Sequence, residues 1–303
     1  ILDTGAKPVI VNIDETLNMN PNELENAITN KTKAVIPVDM LGVSTEVDEI
    51  NSICKENNII TIDDNCEALG SDWGNDKLGP QFDMSIFSFD NGKTITTGEG
   101  GMIVTNNEEY SKLCREYRDH GHENNPKYPR GRDTHRIYGF NFRTTEINAA
   151  IGIEQLKKLD HIVENNRKNY AIYKSELEKI DELTFRKIPK KNTPLCDCLI
   201  FSFLTPAQAD TFVNLINEKG LGTKNVPDAI EWHFARYWDH IFDSEQIKET
   251  TKASHRILSK CVAIPVLSQM AEEDVINNSI ILKECATKAL IWTKIGLFKE
   301  IKW

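Results

Sequence analysis

The stretch Phe87–Met102 reads FSFDNGKTITTGEGGM. Its first residues continue an alternating apolar run that starts at Met84 and ends at Phe89, the pattern of a β-strand. Lys93 follows that run, with Gly92 before it and Gly98, Gly100 and Gly101 after it. The lysine is therefore expected where a strand ends and a glycine-rich turn begins. In open α/β sheets ligands bind in the crevice outside the carboxyl ends of the strands. A lysine there can act as a nucleophilic amine and form a Schiff base with an aldehyde, provided its surroundings favour the neutral form. The ordinary alternative is a solvated loop lysine, since most lysines are exposed.

Toward the N-terminus, Lys33–Val38 is nearly continuous in apolar residues, which suits a buried parallel strand. Lys7–Ile13 and Asn58–Asp64 read as further strands. Between them lie helices at Asn20–Ile28, with Asn20 as cap and Pro21 at the first helical position, and at Glu46–Asn57. Strands alternating with helices predict βαβ units and an α/β domain. Asp64 closes its strand and is followed by Asn65-Cys66-Glu67-Ala68-Leu69-Gly70. Its carboxylate could hold a cationic ring nitrogen, or it could cap a following helix.

Toward the C-terminus, a strand at Met102–Thr105 precedes a helix at Glu108–Tyr117 capped by Asn107. The polar run Arg118–Arg136, RDHGHENNPKYPRGRDTHR, could bind an anion or be a solvated loop. Thr144 is expected to cap a long helix with an apolar stripe of Ile147, Ala150, Ile151, Ile153, Leu156 and Leu159. A helix over Asp160–Ile180 leads into a second, smaller α+β domain. That domain has a strand at Leu199–Leu204, a helix opening at Thr205-Pro206, and a turn at Leu221–Lys224 into another strand. The expected division is 1–160 and 161–303. His233, in the aromatic segment Trp232–His240, is either a substrate contact or a packed histidine. Residues 286–303 offer no functional reading.

A chain of 303 residues can bury a large core. Its net charge of -10, without a basic stripe, argues against a nucleic-acid partner. No apolar run reaches membrane-spanning length and no signal peptide is visible. The seven cysteines are scattered. Cys196 and Cys198 form one pair, no second pair completes a zinc site, and no other metal is expected. Reduced thiols and a cytoplasmic location are the expectation. The chain opens at Ile1 without a methionine and reads as a piece of a longer protein.

Four blocks together resemble the DegT/DnrJ/EryC1/StrS family of sugar aminotransferases. They are Gly5–Val9; Asp63–Gly70; Phe87–Lys93 with Thr97–Gly101; and Gly139–Arg143 with the helix after it. The resemblance runs along nearly the whole chain and is strongest from Gly5 to Asp160. It implies the aspartate-aminotransferase fold (fold type I) for the large domain and pyridoxal 5'-phosphate (PLP) as cofactor. It also implies further elements ahead of Gly5, including a Gly-Thr turn for the cofactor phosphate, so the large domain is expected to be N-terminally incomplete.

By the same resemblance, Lys93 is the catalytic lysine and Asp64 the partner of the pyridine nitrogen. Ser88 binds the cofactor phosphate, and Asn141 reaches the phosphate of a neighbouring subunit, which implies a homodimer with shared active sites. Glu67 falls where many members carry a glutamine beside the cofactor's 3-hydroxyl. A carboxylate there demands a different proton arrangement from an amide. Arg132, Arg136, Arg143 and His233 are the candidate substrate contacts. The implied reaction moves an amino group from an amino acid, with glutamate as the expected donor, to a keto or aldehyde sugar.

A finer resemblance joins FSFDNGKTITTGEGGM, RDHGHENNPKYPRGRDTHR and NVPDAIEWHFA. It points to the subgroup that aminates C8 of an oxidised 3-deoxy-octulosonate for lipopolysaccharide. Transaminases of nucleotide-linked 4-keto-6-deoxy sugars are the alternative. Three rivals remain: a related PLP-dependent sugar dehydratase, which would carry histidine in place of Lys93; an inactive fragment or PLP-binding regulatory relative; and an unrelated nucleotide-binding enzyme. The last fits poorly, because Thr97–Gly101 matches neither G-x-G-x-x-G nor the P-loop.

Overall fold

The computed structural model describes residues 1–300, with side chains through Ile291. The last residues of the 286–303 stretch thus lie outside the described residues. In the first half, α1 (Pro21–Ala27) starts under the Asn20 side chain, which accepts from Asn22 N at 3.0 Å. Strand β1 (Ala34–Val35) is short. Helix α2 (Val47–Glu56) buries Val47, Ile50 and Cys54, one face at helical spacing. Strand β2 (Ile60–Asp64) follows, then β3 (Asp72–Trp73), β4 (Asp76–Lys77), β5 (Met84–Ser88) and β6 (Gly101–Val104). The sheet order is β1-β2-β5-β6. The first three strands run parallel, as the continuous apolar runs imply.

Strand β6 runs antiparallel to β5, with Gly101 opposite Ser88. The glycine turn returns the chain directly onto its neighbour, and Phe89 N donating to Gly100 O at 2.9 Å extends the ladder into the turn. The expected strand at Lys7–Ile13 is absent: Ile13 makes a single bridge to Met19. The groups of this segment bond to residues 250 and 254 instead of to a neighbouring strand. Ile13 N donates to Ser254 Oγ at 3.1 Å, and the Asn12 amide donates to Thr250 O at 2.8 Å.

Helix α3 (Glu108–Tyr117) is capped by Asn107, which accepts from Glu109 N and Tyr110 N. Helix α4 (Glu146–Leu156) is capped by Thr145, one residue beyond the expected Thr144. Its apolar stripe faces no core: the helix buries none of its residues, and Ile147 is 75% exposed. The loop before it carries Tyr138, Phe140 and Phe142, also exposed.

Helix α5 (Leu159–Leu177) leads to β7 (Thr184–Phe185), β8 (Asn192–Thr193) and β9 (Cys198–Ser202). Helix α6 (Pro206–Asn217) opens with a capping box of Thr205 and Gln208. Then come α7 (Ile230–His233), α8 (Ser244–Thr250), α9 (Lys252–Leu258), β10 (Cys261–Pro265) and α10 (Glu272–Glu300). The strand expected after Lys224 is reduced to two bonds beside β10, Lys224 N to Ala263 O at 2.8 Å and Ala263 N to Val226 O at 3.0 Å. Pro227, which has no N–H, cannot extend them.

One core packs β9, α5, α6 and α10 around Phe201, Phe203, Phe212, Leu177 and Leu282. A second gathers Val35, Ile50, Cys54, Ile59 and Trp73. A third joins the two halves of the chain through Leu17, Leu41, Ile200, Val226 and Ala263. Burying each Val, Leu, Ile or Phe among them contributes about 1.5–3 kcal/mol. Strand β8 also crosses between halves, pairing with β3.

Candidate active site

Parallel neighbours β2 and β5 deliver their carboxyl ends to one edge of the sheet, with Asp64 in register with Ile86. Asp64 is half-buried, and its Oδ1 accepts from Cys66 N at 3.2 Å. Asp64 caps no helix, because residues 65–70 form turns. Ser88 ends β5, and its hydroxyl accepts from Asp90 N at 3.3 Å. The Asp90 carboxylate then accepts from Gly92 N at 2.6 Å, and the Asp90 carbonyl from Lys93 N at 3.2 Å. These bonds fold residues 90–93 into a tight turn that presents Lys93 beside the strand ends.

Lys93 is half-buried, with its Nζ 3.6 Å from Glu67 Oε1. Glu67 Oε2 accepts from Leu41 N at 3.1 Å, and Oε1 accepts from Asn225 Nδ2 at 3.2 Å. Nearby, burial and the Asp64 carboxylate push the Cys66 thiol up to about 12. That thiol stays protonated at neutral pH. Behind Lys93, Asn148 of α4 donates to Thr97 O at 2.6 Å and to Glu99 O at 3.1 Å, clamping the glycine turn. Gly100 has φ +156°, and a Cβ there would lie 2.7 Å from Thr97 Oγ1.

The structure thus brings Lys93 and Glu67 into contact and sets Asp64 and Ser88 on the same sheet edge. The other expected residues belong to different surroundings. Asn141 lies in an arm formed by residues 118–143, where its amide oxygen accepts from Arg143 Nε at 2.9 Å. Arg143 also lies 3.5 Å from Asp119. Arg130 grips Asp119 with two bonds of 2.8 and 2.6 Å and holds its carboxyl well below the usual carboxylate range. Arg136 bonds Glu116 and Glu109 of α3, so its charge is already matched where the arm meets that helix. Arg132 is exposed, as is His233 at the end of α7.

Sequence reasoning missed Leu41 and Asn225. Both have left-handed backbones, φ +50° and +63°, and both clasp Glu67. Asn225 carried a faint signal, since asparagine tolerates that conformation. Leu41 carried none. It also missed a fully buried pair of carboxyls directly behind the site, Asp39 and Asp63.

A model of the DegT/DnrJ/EryC1/StrS aminotransferase family matches residues 1–280. The chain belongs to this family. It is 32% identical over 286 residues to an uncharacterised protein of Methanocaldococcus jannaschii, covering 91% of this chain and 73% of that one. It is 38% identical over 178 residues to a GDP-perosamine synthase of Escherichia coli O157:H7, a match spanning 58% of this chain and 48% of that protein. Its fold superposes on PseC of Helicobacter pylori, an aminotransferase involved in the biosynthesis of pseudoaminic acid. The TM-score is 0.81 at 24% identity, over 95% of this chain and 76% of that one. The architecture is that of fold type I PLP-dependent enzymes.

Members of the DegT/DnrJ/EryC1/StrS family are sugar aminotransferases that depend on PLP. The donor set on the sheet edge fits that group. It offers an amine for the aldehyde carbon, a carboxylate for the ring nitrogen and a hydroxyl for the phosphate.

Proposed function

We propose that the chain carries the lysine site of a PLP-dependent transaminase that moves an amino group from an amino acid, glutamate foremost, to a keto or aldehyde sugar. The observation that carries this reading is the half-buried Lys93 in the turn after β5, whose neighbour β2 ends in the carboxylate of Asp64. When bound, PLP supplies an electron sink for the pair left as a Cα proton departs. In this reading Asp64 keeps the ring nitrogen protonated, and Ser88 holds the phosphate. Glu67 faces the 3-hydroxyl side, and Lys93 removes and returns the proton as general base. Lysine at position 93 argues against the dehydratase alternative.

For the sugar, we favour an oxidised 3-deoxy-octulosonate aminated at C8, a lipopolysaccharide precursor. The support is the combined sequence pattern of 87–102, 118–136 and 225–235. Arg132, exposed and outside the ion pairs of Arg130 and Arg136, is the arm's candidate for the sugar carboxylate. The similarity to a GDP-perosamine synthase supports a second reading, a nucleotide-linked 4-keto-6-deoxy sugar. We further read 1–160 and 161–303 as two domains and the working form as a cytoplasmic homodimer. Its contact face would be the exposed apolar side of α4 together with Phe140 and Phe142, and Asn141 would serve the neighbouring subunit's site.

The test is borohydride reduction of the purified chain with PLP, followed by peptide mapping. Label on Lys93, abolished in Lys93→Ala, is expected; label scattered over surface lysines would sink the reading. Both sugar classes are then offered with glutamate, and Arg132→Ala should raise KM for the free sugar acid about tenfold while leaving the nucleotide sugar unaffected.

A further inference from the structure

We propose that Asn225 is a positioning residue of the lysine site, acting through Glu67 to keep the Lys93 amine available. The proposal deepens the reading above, in which Lys93 is the reacting amine. Two donors converge on one oxygen. Asn225 Nδ2 lies 3.2 Å from Glu67 Oε1, within hydrogen-bond range, whereas Lys93 Nζ lies 3.6 Å from the same oxygen. Asn225 therefore holds the hydrogen bond, and Lys93 keeps only a looser ion pair. The other Glu67 oxygen is taken by Leu41 N. Lys224, the adjoining cation, is matched by Asp197 at 2.6 Å, and burial keeps the Cys66 and Cys198 thiols neutral.

Of the two clasping residues, Leu41 is strained: a leucine at φ +50° is an outlier, whereas Asn225 at φ +63° adopts a conformation that asparagine tolerates. Strain of this kind costs on the order of 1–3 kcal/mol and persists only where the surroundings over-determine it. Here a strained leucine and a left-handed asparagine from distant parts of the chain meet on a single carboxylate, itself against the lysine. Remove the Asn225 amide, and among the described residues Lys93 becomes the sole side-chain donor to Glu67 Oε1. The ammonium is then drawn in, and the fraction of free amine falls.

The test needs no cofactor. Lys93 is acylated with trace acetic anhydride over a pH series, and peptide mass spectrometry normalises it to exposed Lys77 and Lys112 in the same sample. Asn225→Gly removes the amide while accepting the left-handed backbone. It should slow Lys93 acylation about two- to fivefold near neutral pH and move its profile to higher pH. In the Glu67→Gln background the same change should have no effect, because the carboxylate that transmits it is gone.

Unchanged acylation in Asn225→Gly would overturn the proposal, as would equal slowing in both backgrounds. A rise at all lysines together would mark Asn225 as purely structural, and that too would overturn it. Failure of PLP trapping on Lys93 would remove the transaminase reading but leave this result standing, so the two failures are distinguishable.

Discussion

The fully buried carboxyls of Asp39 and Asp63 set a pH limit on the molecule. Asp39 Oδ1 accepts from Thr45 N at 2.7 Å, and Asn65 Nδ2 donates to Asp63 Oδ2 at 3.4 Å. The remaining oxygen of each has no hydrogen-bond partner among the described residues. The two are satisfied if they share one proton, the arrangement that two close carboxyls in a dry site adopt. Burial raises both pKa values, and the charge of Asp39 raises that of Asp63 further. A carboxyl whose pKa is raised on folding binds more protons folded than unfolded. Its stabilising contribution is complete below the unfolded carboxylate range and is lost as pH rises through the folded values. Thermal stability is therefore expected to decline on the alkaline side of neutrality. Asp63→Asn, which gives Asp39 a permanent amide donor, should flatten that decline in a pH series of melting curves. An equally steep decline in the variant would refute the shared proton.

At the scale of elements, the arm of residues 118–143 turns on a backbone crossing that only glycine permits. Gly121 has φ +85°, and a Cβ there would lie 2.1 Å from Ile137 O. Gly121→Ala should release the arm, destabilising the chain by about 2–4 kcal/mol and exposing residues 124–136 to limited proteolysis. Unchanged proteolysis would show the arm held by its ion pairs alone.

Elements whose signals are local were legible. Asn20, Asn107 and Thr205 cap the helices they were read to cap, because a cap is written in three or four consecutive residues. The slip from Thr144 to Thr145 arose where two threonines stand together and either could serve. Lys7–Ile13 failed because strand formation needs a partner that this segment does not have. The stripe on α4 was legible as periodicity, but periodicity does not say what covers it. In the site, Lys93, Asp64 and Ser88 sit at strand ends that the apolar runs predict. The contact of Glu67 with Leu41 and Asn225 depends on backbone angles and a long-range approach that no local pattern encodes.

For the whole molecule, the two halves are stapled by Arg167 of α5. Its Nε donates to Pro194 O at 2.9 Å, and its Nη2 donates to Asp72 Oδ2 at 2.9 Å and to Thr193 O at 3.2 Å. One planar fork thus ties the β3 and β8 strands to a helix, a geometry that lysine cannot reproduce. Arg167→Lys is expected to lower unfolding stability by about 1–3 kcal/mol in urea titration without changing the slope. A change in slope would instead mean that the halves had come to unfold separately.

The sequence separation of 158 between Glu67 and Asn225 governs when the site comes into being. A chain made from its N-terminus exposes Lys93 long before Asn225 has been joined to it, and the N-terminal parts begin folding first. In the proposed reading, the half-made polypeptide lacks the Asn225 amide that meets Glu67, and only the finished chain presents the assembled site.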